Sequence, residues 1–168
     1  MSNGLDALLK EAFQELEAWL LDTAWRGKEH DCVNVFAHKF LAKRVKPDGP
    51  LFDLTQVGIE VGVPQPHGRG KRPSARKDLV IWAQPGTVAW DADWKAVNVP
   101  AAIIEWKAPR KSRVPRIDPS DQRWLRIYAE HYPDFVGYCA TVDFSARDRR
   151  VFTVAITATG TIEDFHRS

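Results

Sequence analysis

Two nearly continuous apolar runs constrain the fold more than any other feature of this sequence. The first is Asp78-Leu-Val-Ile-Trp82 and the second is Ala101-Ala-Ile-Ile-Glu-Trp-Lys107. A strand with one face in water alternates apolar and polar residues, whereas a strand covered on both faces is apolar almost throughout. Both runs are short, as strands are. They therefore predict two central strands of a sheet that is flanked by helices.

The periodicity of the remaining apolar residues supplies the other elements. A spacing of three or four residues predicts helices, and alternation predicts further strands. The order fits one α/β (α+β) domain over residues 1–168, with a central mixed sheet of about five strands flanked by helices. The predicted helices cover 5–22, 28–45 and a segment from Asp118 or Ser120 to Pro133, and the further strands cover 57–63, 135–142 and 151–158.

Composition excludes several classes of protein. The 168 residues are 44% hydrophobic and 27% charged, as in globular proteins. No apolar run approaches the roughly 18 residues of a membrane span, and the first residues lack the pattern of a secretory signal. Cys32 and Cys139 lie in apolar stretches without metal-ligand spacing, so we expect buried free thiols in a reducing compartment. These features predict a cytoplasmic protein that does not act on membranes.

Basic residues are concentrated in two short segments, although the net charge is only +2. Neither segment contains an acid, and such local clusters suit a polyanionic partner such as a nucleic acid. The alternative is a pair of solvated loops that bind nothing. The first cluster is Arg69, Lys71, Arg72, Arg76 and Lys77, and the second is Arg110, Lys111, Arg113 and Arg116.

Charged residues at the ends of the two apolar runs are the strongest functional signal. Glu105 and Lys107 are two positions apart on a strand, so they point to the same face, and Trp106 points to the other. Charges beside a buried strand need a partner or a metal. Asp78 opens the preceding strand, and if the strands are neighbours its carboxylate can converge with Glu105 on one cation. Two carboxylates with water suit Mg²⁺, for which Mn²⁺ can substitute, and Lys107 would orient a water or the scissile phosphate.

The acid-any-lysine spacing is not specific by itself. With 22 acids and 10 lysines in 168 residues, chance gives roughly 1.3 such triplets, and the chain contains two. The second is Asp93-Trp94-Lys95, which has no apolar run before it and remains a competitor. The apolar strand that leads into Glu105, together with Asp78 on another such strand, favours the first triplet.

The arrangement resembles the PD-(D/E)XK nuclease superfamily, which has a restriction-endonuclease-like fold. Asp78 matches the aspartate of its second core strand, and Glu105-Trp106-Lys107 matches its acid-any-lysine motif. The resemblance implies a core over about 28–158, with helix 5–22 as an extension. It further implies that Glu29 adds a metal ligand from the first core helix and that Gln122 assists from the helix after the motif. The implied activity is divalent-metal-dependent hydrolysis of phosphodiester bonds in DNA.

Other interpretations remain open. The fold could serve as a catalytically inactive module that binds nucleic acid or a protein partner. Glu60, on the first strand, is expected to be a surface residue, although some relatives place an acid there. Trp90 and Trp94 lie in a polar insert and could stack on bases, contact a subunit or cap the sheet. A homodimer or a partner protein is expected by analogy with the superfamily.

Overall fold

In a computed structural model, the residues whose positions are described form an α+β molecule with one mixed, six-stranded sheet. The structure describes residues 2–66, 73–109, 117–144 and 149–168. The strands follow one another across the sheet in chain order. The helices are α1 (Ser2–Asp22), α2 (Glu29–Val35) and α3 (Pro119–His131), and the strands are β1 (Val57–Pro64), β2 (Ser74–Ile81), β3 (Ala102–Lys107), β4 (Val136–Asp143), β5 (Arg150–Ile156) and β6 (Thr161–Glu163).

One parallel pair interrupts an otherwise antiparallel sheet. β3 and β4 run in the same direction, with Glu105 opposite Cys139 and Lys107 opposite Thr141, and all the other neighbouring strands are antiparallel. Parallel neighbours need a crossover connection, and α3 provides it. The side chain of Asp118 caps α3 by accepting a hydrogen bond from the Ser120 N–H at 2.8 Å.

The central strands are buried on both faces, as their apolar runs predict. On one face Ile104 and Trp106 pack with α1 and the helical segment after it. On the other face Ile103 packs with Leu125 and Tyr128 of α3. The general fold class and the helix-flanked sheet are therefore confirmed, and the sheet has six strands instead of about five.

Helix α1 is part of the main core. Its Phe13 ring stacks on Phe36 with centroids 4.6 Å apart and lies 5.8 Å from the ring of Trp106. Phe13 and Leu9 are fully buried. The sequence suggests that this helix is an extension of the domain, whereas in the structure it covers the middle of the sheet.

The second predicted helix is continuous but changes its hydrogen-bond pattern. α2 is followed by a π-helical segment, Phe36–Leu41, and then by a 3₁₀ turn, Ala42–Arg44. The wide π turn brings Phe36, Phe40 and Leu41 into the core together. The prediction of one helix over 28–45 therefore has the correct extent and misses the irregular geometry inside it.

The regular alternation of side chains between the two faces of the sheet is interrupted near Glu60, in β1 and in the neighbouring β2. Val57 and Ile59 pack on the α1 side, whereas Val61 and Val63 pack on the α3 side. Glu60 has a φ of 57°, which is a strained value for a residue with a side chain. The change of face extends to β2, where Leu79 faces α1 and Lys77 faces α3. This local twist determines which charged side chains turn inward.

Helix α3 approaches the sheet closely at Gly137. A Cβ added at Gly137 would lie 2.8 Å from the Cβ of Leu125, which is too close for either residue to remain in place. We therefore expect Gly137→Ala to destabilise the protein by about 1–3 kcal/mol, as overpacking of a core does. Urea unfolding would measure this loss. The control is Gly62→Ala in β1, where nothing lies within 4 Å of the added Cβ and little change is expected.

Two expectations from composition have structural counterparts. Cys32 and Cys139 are both buried, free thiols, as predicted. Across the described ranges, no helix combines the length and the apolar character needed to cross a membrane.

Candidate functional site

The end of β3 places its two charged residues on the α3 side of the sheet. Lys107 forms an ion pair with Asp121 of α3 at 3.0 Å, and Glu105 contacts Lys77, whose ammonium lies over the ring of Trp124 in α3. Trp106, between them, is fully buried on the opposite face. The alternation predicted from the sequence therefore holds, and it brings Glu105 and Lys107 to the same surface.

Asp78 lies where β2 and β3 separate. The last paired residues are Leu79 and Ile104, and one position further the Asp78 carboxylate accepts a hydrogen bond from the Trp106 N–H at 2.7 Å. This bond holds the carboxylate beside the backbone that joins Glu105 to Lys107. Burial acts to raise the pKa of Glu105 and to lower the pKa of Lys107. The negative charge of Asp78 acts to raise both pKa values. The structure thus brings together the three residues on which the sequence prediction rests.

Lys107 is held by three oxygen-containing groups. Besides Asp121, it lies 3.8 Å from the Glu29 carboxylate and donates a hydrogen bond to the Trp106 carbonyl at 2.8 Å. Partial burial would lower the pKa of Lys107, but the hydrogen bond and charge of Asp121 and the charge of Glu29 outweigh it and raise that pKa. Lys107 is therefore a fixed positive charge here, and it is suited to orient an anion or a water molecule.

Glu29 reaches the site from α2, and its neighbour Asp31 does not. Asp31 accepts a hydrogen bond from the Lys28 N–H and so serves as a helix cap. Burial raises the pKa of Glu29; Lys107 opposes this, while the charges of Asp78 and Asp121 add to it. The choice of Glu29 over Asp31 as the helix contribution to the site agrees with this geometry.

Glu105 is almost completely buried, with only 6% of its surface exposed. It is paired with Lys77, which is buried to a similar extent. Burial raises the pKa of Glu105, and the Lys77 ammonium acts in the opposite direction. The sequence assigns Lys77 to a nucleic-acid-binding cluster, but the structure turns it inward, away from any nucleic-acid backbone.

Carboxylates outnumber basic side chains among the described residues of this cluster. The pKa values of Glu29 and Glu105 are both raised, by burial first and then by the neighbouring negative charges. A local excess of negative charge favours a bound cation. The acids are Glu29, Glu60, Asp78, Glu105, Asp118 and Asp121, and the bases are Arg76, Lys77 and Lys107.

Oxygen donors of this kind fit magnesium. Among the described residues, no three His, Cys, Asp or Glu side chains form a group that could hold a metal ion by themselves. Mg²⁺ does not require such a cage, because it keeps several waters and is commonly bound through one or two carboxylates. Asp78 and Glu105 are close enough for their charges to interact, and Glu29 lies 3.8 Å from Lys107, so these carboxylates are the candidates to hold such an ion.

A buried hydroxyl adjoins the same strand end. Thr141 lies opposite Lys107 on β4 and is 1% exposed, and its Oγ1 has no hydrogen-bond partner among the described residues. An unsatisfied buried hydroxyl is uncommon and often marks a place for water or a ligand. Sequence reasoning does not single out Thr141, because its significance depends on the register between β3 and β4.

Asp121, the residue before Gln122, contacts Lys107, and the predicted support of Lys107 or the phosphate by Gln122 stays a prediction. The carboxylate of Asp121, in the first turn of α3, holds the Lys107 ammonium. For the adjacent Gln122, no side-chain hydrogen bond to another described residue is present. The sequence offers one indication of Asp121: it is an acid three residues after the Asp118 cap. An acid at that position by itself indicates only the start of a helix.

The predicted basic clusters are described only in part. Arg76 is exposed and pairs with Glu60 at 3.2 Å. Glu60 is itself partly exposed, which is close to the surface position expected for it. The remaining members lie outside the described residues, and their contribution stays a prediction. They are Arg69, Lys71, Arg72, Arg110, Lys111, Arg113 and Arg116.

The competing triplet lies on a turn and not at the end of a buried strand. Asp91 caps this turn by accepting hydrogen bonds from the backbone N–H groups of Asp93 and Lys95. The side chains of Asp93 and Lys95 are 78% and 75% exposed. Without burial these charges need no metal, so the geometry favours Glu105-Trp106-Lys107.

The two tryptophans of the insert have different environments. Trp90 donates its indole N–H to the Gly62 carbonyl at 3.2 Å and packs against the α3-side core, so it caps the sheet. Trp94 is 80% exposed at the tip of the turn. Only Trp94 keeps the predicted possibility of stacking on a base or contacting a subunit.

A separate cleft of about 920 Å³ opens at the other end of β3. It is lined by Ala101 and Val136, where β3 and β4 begin, and by apolar and aromatic residues that include Trp82, Tyr132 and Phe135. None of the predicted site residues borders it. The cleft also contains the carboxylates of Asp6 and Asp134, but it lacks a basic residue among the described residues that line it.

No protein-family model, curated protein or solved structure matches this chain.

Proposed function

We propose that this protein is a divalent-metal-dependent nuclease of the PD-(D/E)XK type that hydrolyses phosphodiester bonds in DNA. The observation that carries the proposal is the cluster at the end of β3, where the Asp78 carboxylate acts on both Glu105 and Lys107 and where Glu29 and Asp121 pair with the fixed positive charge of Lys107. The order α2, β1, β2, β3, α3, β4 also supports a restriction-endonuclease-like core.

Each residue has a role that its position allows. Asp78 and Glu105 would hold Mg²⁺ or Mn²⁺, and Glu29 would contribute from α2. When bound, the cation would polarise the scissile phosphoryl group and lower the pKa of the attacking water. Lys107 orients that water or the scissile phosphate, and Asp121 keeps the ammonium in place at 3.0 Å. Arg76 and the basic segments would bind the phosphate backbone.

A cleavage assay tests this proposal directly. Labelled linear, nicked, flap and junction DNA would be incubated with the protein in Mg²⁺, in Mn²⁺ and in EDTA. We expect cleavage in either metal and none in EDTA. Lys107→Ala should lower the rate by about 10²- to 10⁴-fold, the range for loss of a group that positions or transfers a proton.

The matched control is Lys95→Ala, which removes the exposed lysine of the competing triplet and should leave the rate unchanged. Cleavage that persists in EDTA, or a Lys107→Ala variant as active as the unmodified protein, would contradict the proposed mechanism.

One observation favours the alternative of an inactive binding module: Glu105 is already neutralised by Lys77, and the fold does not require a metal for that purpose. Such a module would bind nucleic acid equally well in metal and in EDTA. In that case Asp78→Ala would leave its affinity unchanged and no variant would show cleavage.

A further inference from the structure

The buried pair of Lys77 and Glu105 is the most unusual electrostatic feature of the site. Lys77 is 5% exposed and Glu105 is 6% exposed. Removing two charges from water carries a large desolvation penalty, which is offset only by close contact and additional partners. A pair of this kind therefore needs a structural or functional reason to be present.

An aromatic contact with Trp124 holds Lys77 in place, and the amide of Gln65 in turn holds Trp124. Its Nζ lies 3.6 Å from the centroid of the Trp124 ring, within the range of a strong cation–π interaction. The Trp124 indole N–H donates to the Gln65 Oε1 at 2.8 Å, which fixes the orientation of the ring. The Lys77 ammonium is thus held between the Glu105 carboxylate and the Trp124 ring.

The backbone conformation directs the Lys77 side chain inward, toward Glu105 and Trp124. Next to it in β2, Arg76 points outward with a side chain that is 75% exposed. The inward direction of Lys77 follows from the change of face at Glu60, whose φ of 57° is strained. The strained residue Glu60 lies in β1, and the change of face that occurs there extends to β2, where it brings Lys77 against Glu105.

We propose that Lys77 is an internal counter-ion that occupies the place of the metal at Glu105 in the metal-free protein and must withdraw when a divalent cation binds. This inference rests on the proposed function. The ammonium contacts Glu105 Oε1, and a cation bound by Glu105 would need the same carboxylate. Two adjacent cations repel, so the carboxylate cannot serve both at full strength.

Competition of this kind weakens metal binding in a predictable way. The apparent dissociation constant equals the intrinsic one divided by the fraction of molecules in which Glu105 is free. Removing the ammonium should therefore tighten metal binding, even though it leaves a buried carboxylate unpaired in the absence of metal. An increase in affinity together with a decrease in metal-free stability is the signature that distinguishes a competitor from a metal-supporting residue.

The test compares Mn²⁺ binding and thermal unfolding of the full-length protein with those of Lys77→Met. By isothermal titration calorimetry at a pH at which Glu105 is ionised in both proteins, we expect Lys77→Met to bind Mn²⁺ at least about 10-fold more tightly, because the carboxylate is no longer occupied by an ammonium. In EDTA the variant should melt at a lower temperature, and Mn²⁺ should restore the difference.

A second variant and a control keep the test decisive. Lys77→Gln retains a neutral hydrogen-bond donor for Glu105, so it should fold where Lys77→Met does not and should show the same tightening. Lys95→Met removes an exposed lysine and should change neither quantity. An unchanged or weaker Mn²⁺ affinity in folded Lys77→Gln overturns the inference.

Cleavage of DNA by the unmodified protein, measured in parallel, separates this inference from the proposed function. If the unmodified protein cleaves DNA and the Lys77 variants bind Mn²⁺ no more tightly, the counter-ion role is wrong and the nuclease proposal stands. If only the variants bind Mn²⁺ and the unmodified protein is inert, the counter-ion role holds and the nuclease proposal fails. If neither binds Mn²⁺, both are overturned.

Discussion

The Asp78→Asn variant is expected to lose Mg²⁺-dependent cleavage of DNA by about 10³-fold while it keeps its fold. A metal ion supplies several kcal/mol of transition-state stabilisation, and each 1.36 kcal/mol corresponds to a factor of ten in rate. The fold should survive because the side-chain carbonyl of an asparagine can still accept the hydrogen bond that Asp78 receives from the Trp106 N–H at 2.7 Å. The substitution therefore removes the charge and retains the link between β2 and β3.

Three measurements on this variant distinguish its chemistry from its folding. Cleavage rates are compared in saturating Mg²⁺, Mn²⁺ affinity is titrated, and urea unfolding is followed in EDTA. Asp93→Asn is the matched control, since it makes the same change in the competing triplet on the exposed turn. If Asp93→Asn lost activity and Asp78→Asn did not, the functional triplet would be the one at Asp93.

The sequence is sufficient to place the central features of the candidate site. Strand periodicity puts Glu105 and Lys107 on one face, and the apolar run that begins at Asp78 identifies the neighbouring strand. These predictions succeed because burial on both faces imposes a strong pattern on the residues themselves. The match between the predicted and observed ends of β3 is within one residue.

Other parts of the site depend on tertiary structure and leave no local signal. Lys77 resembles a member of a solvated basic cluster, because nothing in its own segment indicates the change of face at Glu60. The contact of Asp121 with Lys107 depends on the angle at which α3 crosses the sheet. The short strand β6 follows a turn and has exposed residues only, so it lacks an apolar pattern.

The position of α1 has a large expected consequence for stability. The sequence predicts this helix as an extension of a core that begins near residue 28. In the structure Phe13 is fully buried between Phe36 and Trp106. Trp106 in turn supplies the N–H that holds Asp78 and the carbonyl that accepts from Lys107. The packing of α1 thus supports the backbone of the candidate site.

Phe13→Ala is therefore expected to destabilise the protein by about 3–5 kcal/mol, the usual effect of removing a buried phenylalanine side chain. That is a large part of the roughly 5–15 kcal/mol that stabilises an ordinary domain. Urea unfolding would measure the shift, with Leu21→Ala as the control on the same helix: Leu21 is 57% exposed, and its truncation should change stability by less than about 0.5 kcal/mol. A change below about 1 kcal/mol for Phe13→Ala would mean that α1 is the detachable extension that the sequence suggests, because a helix outside the core has no cavity to leave behind.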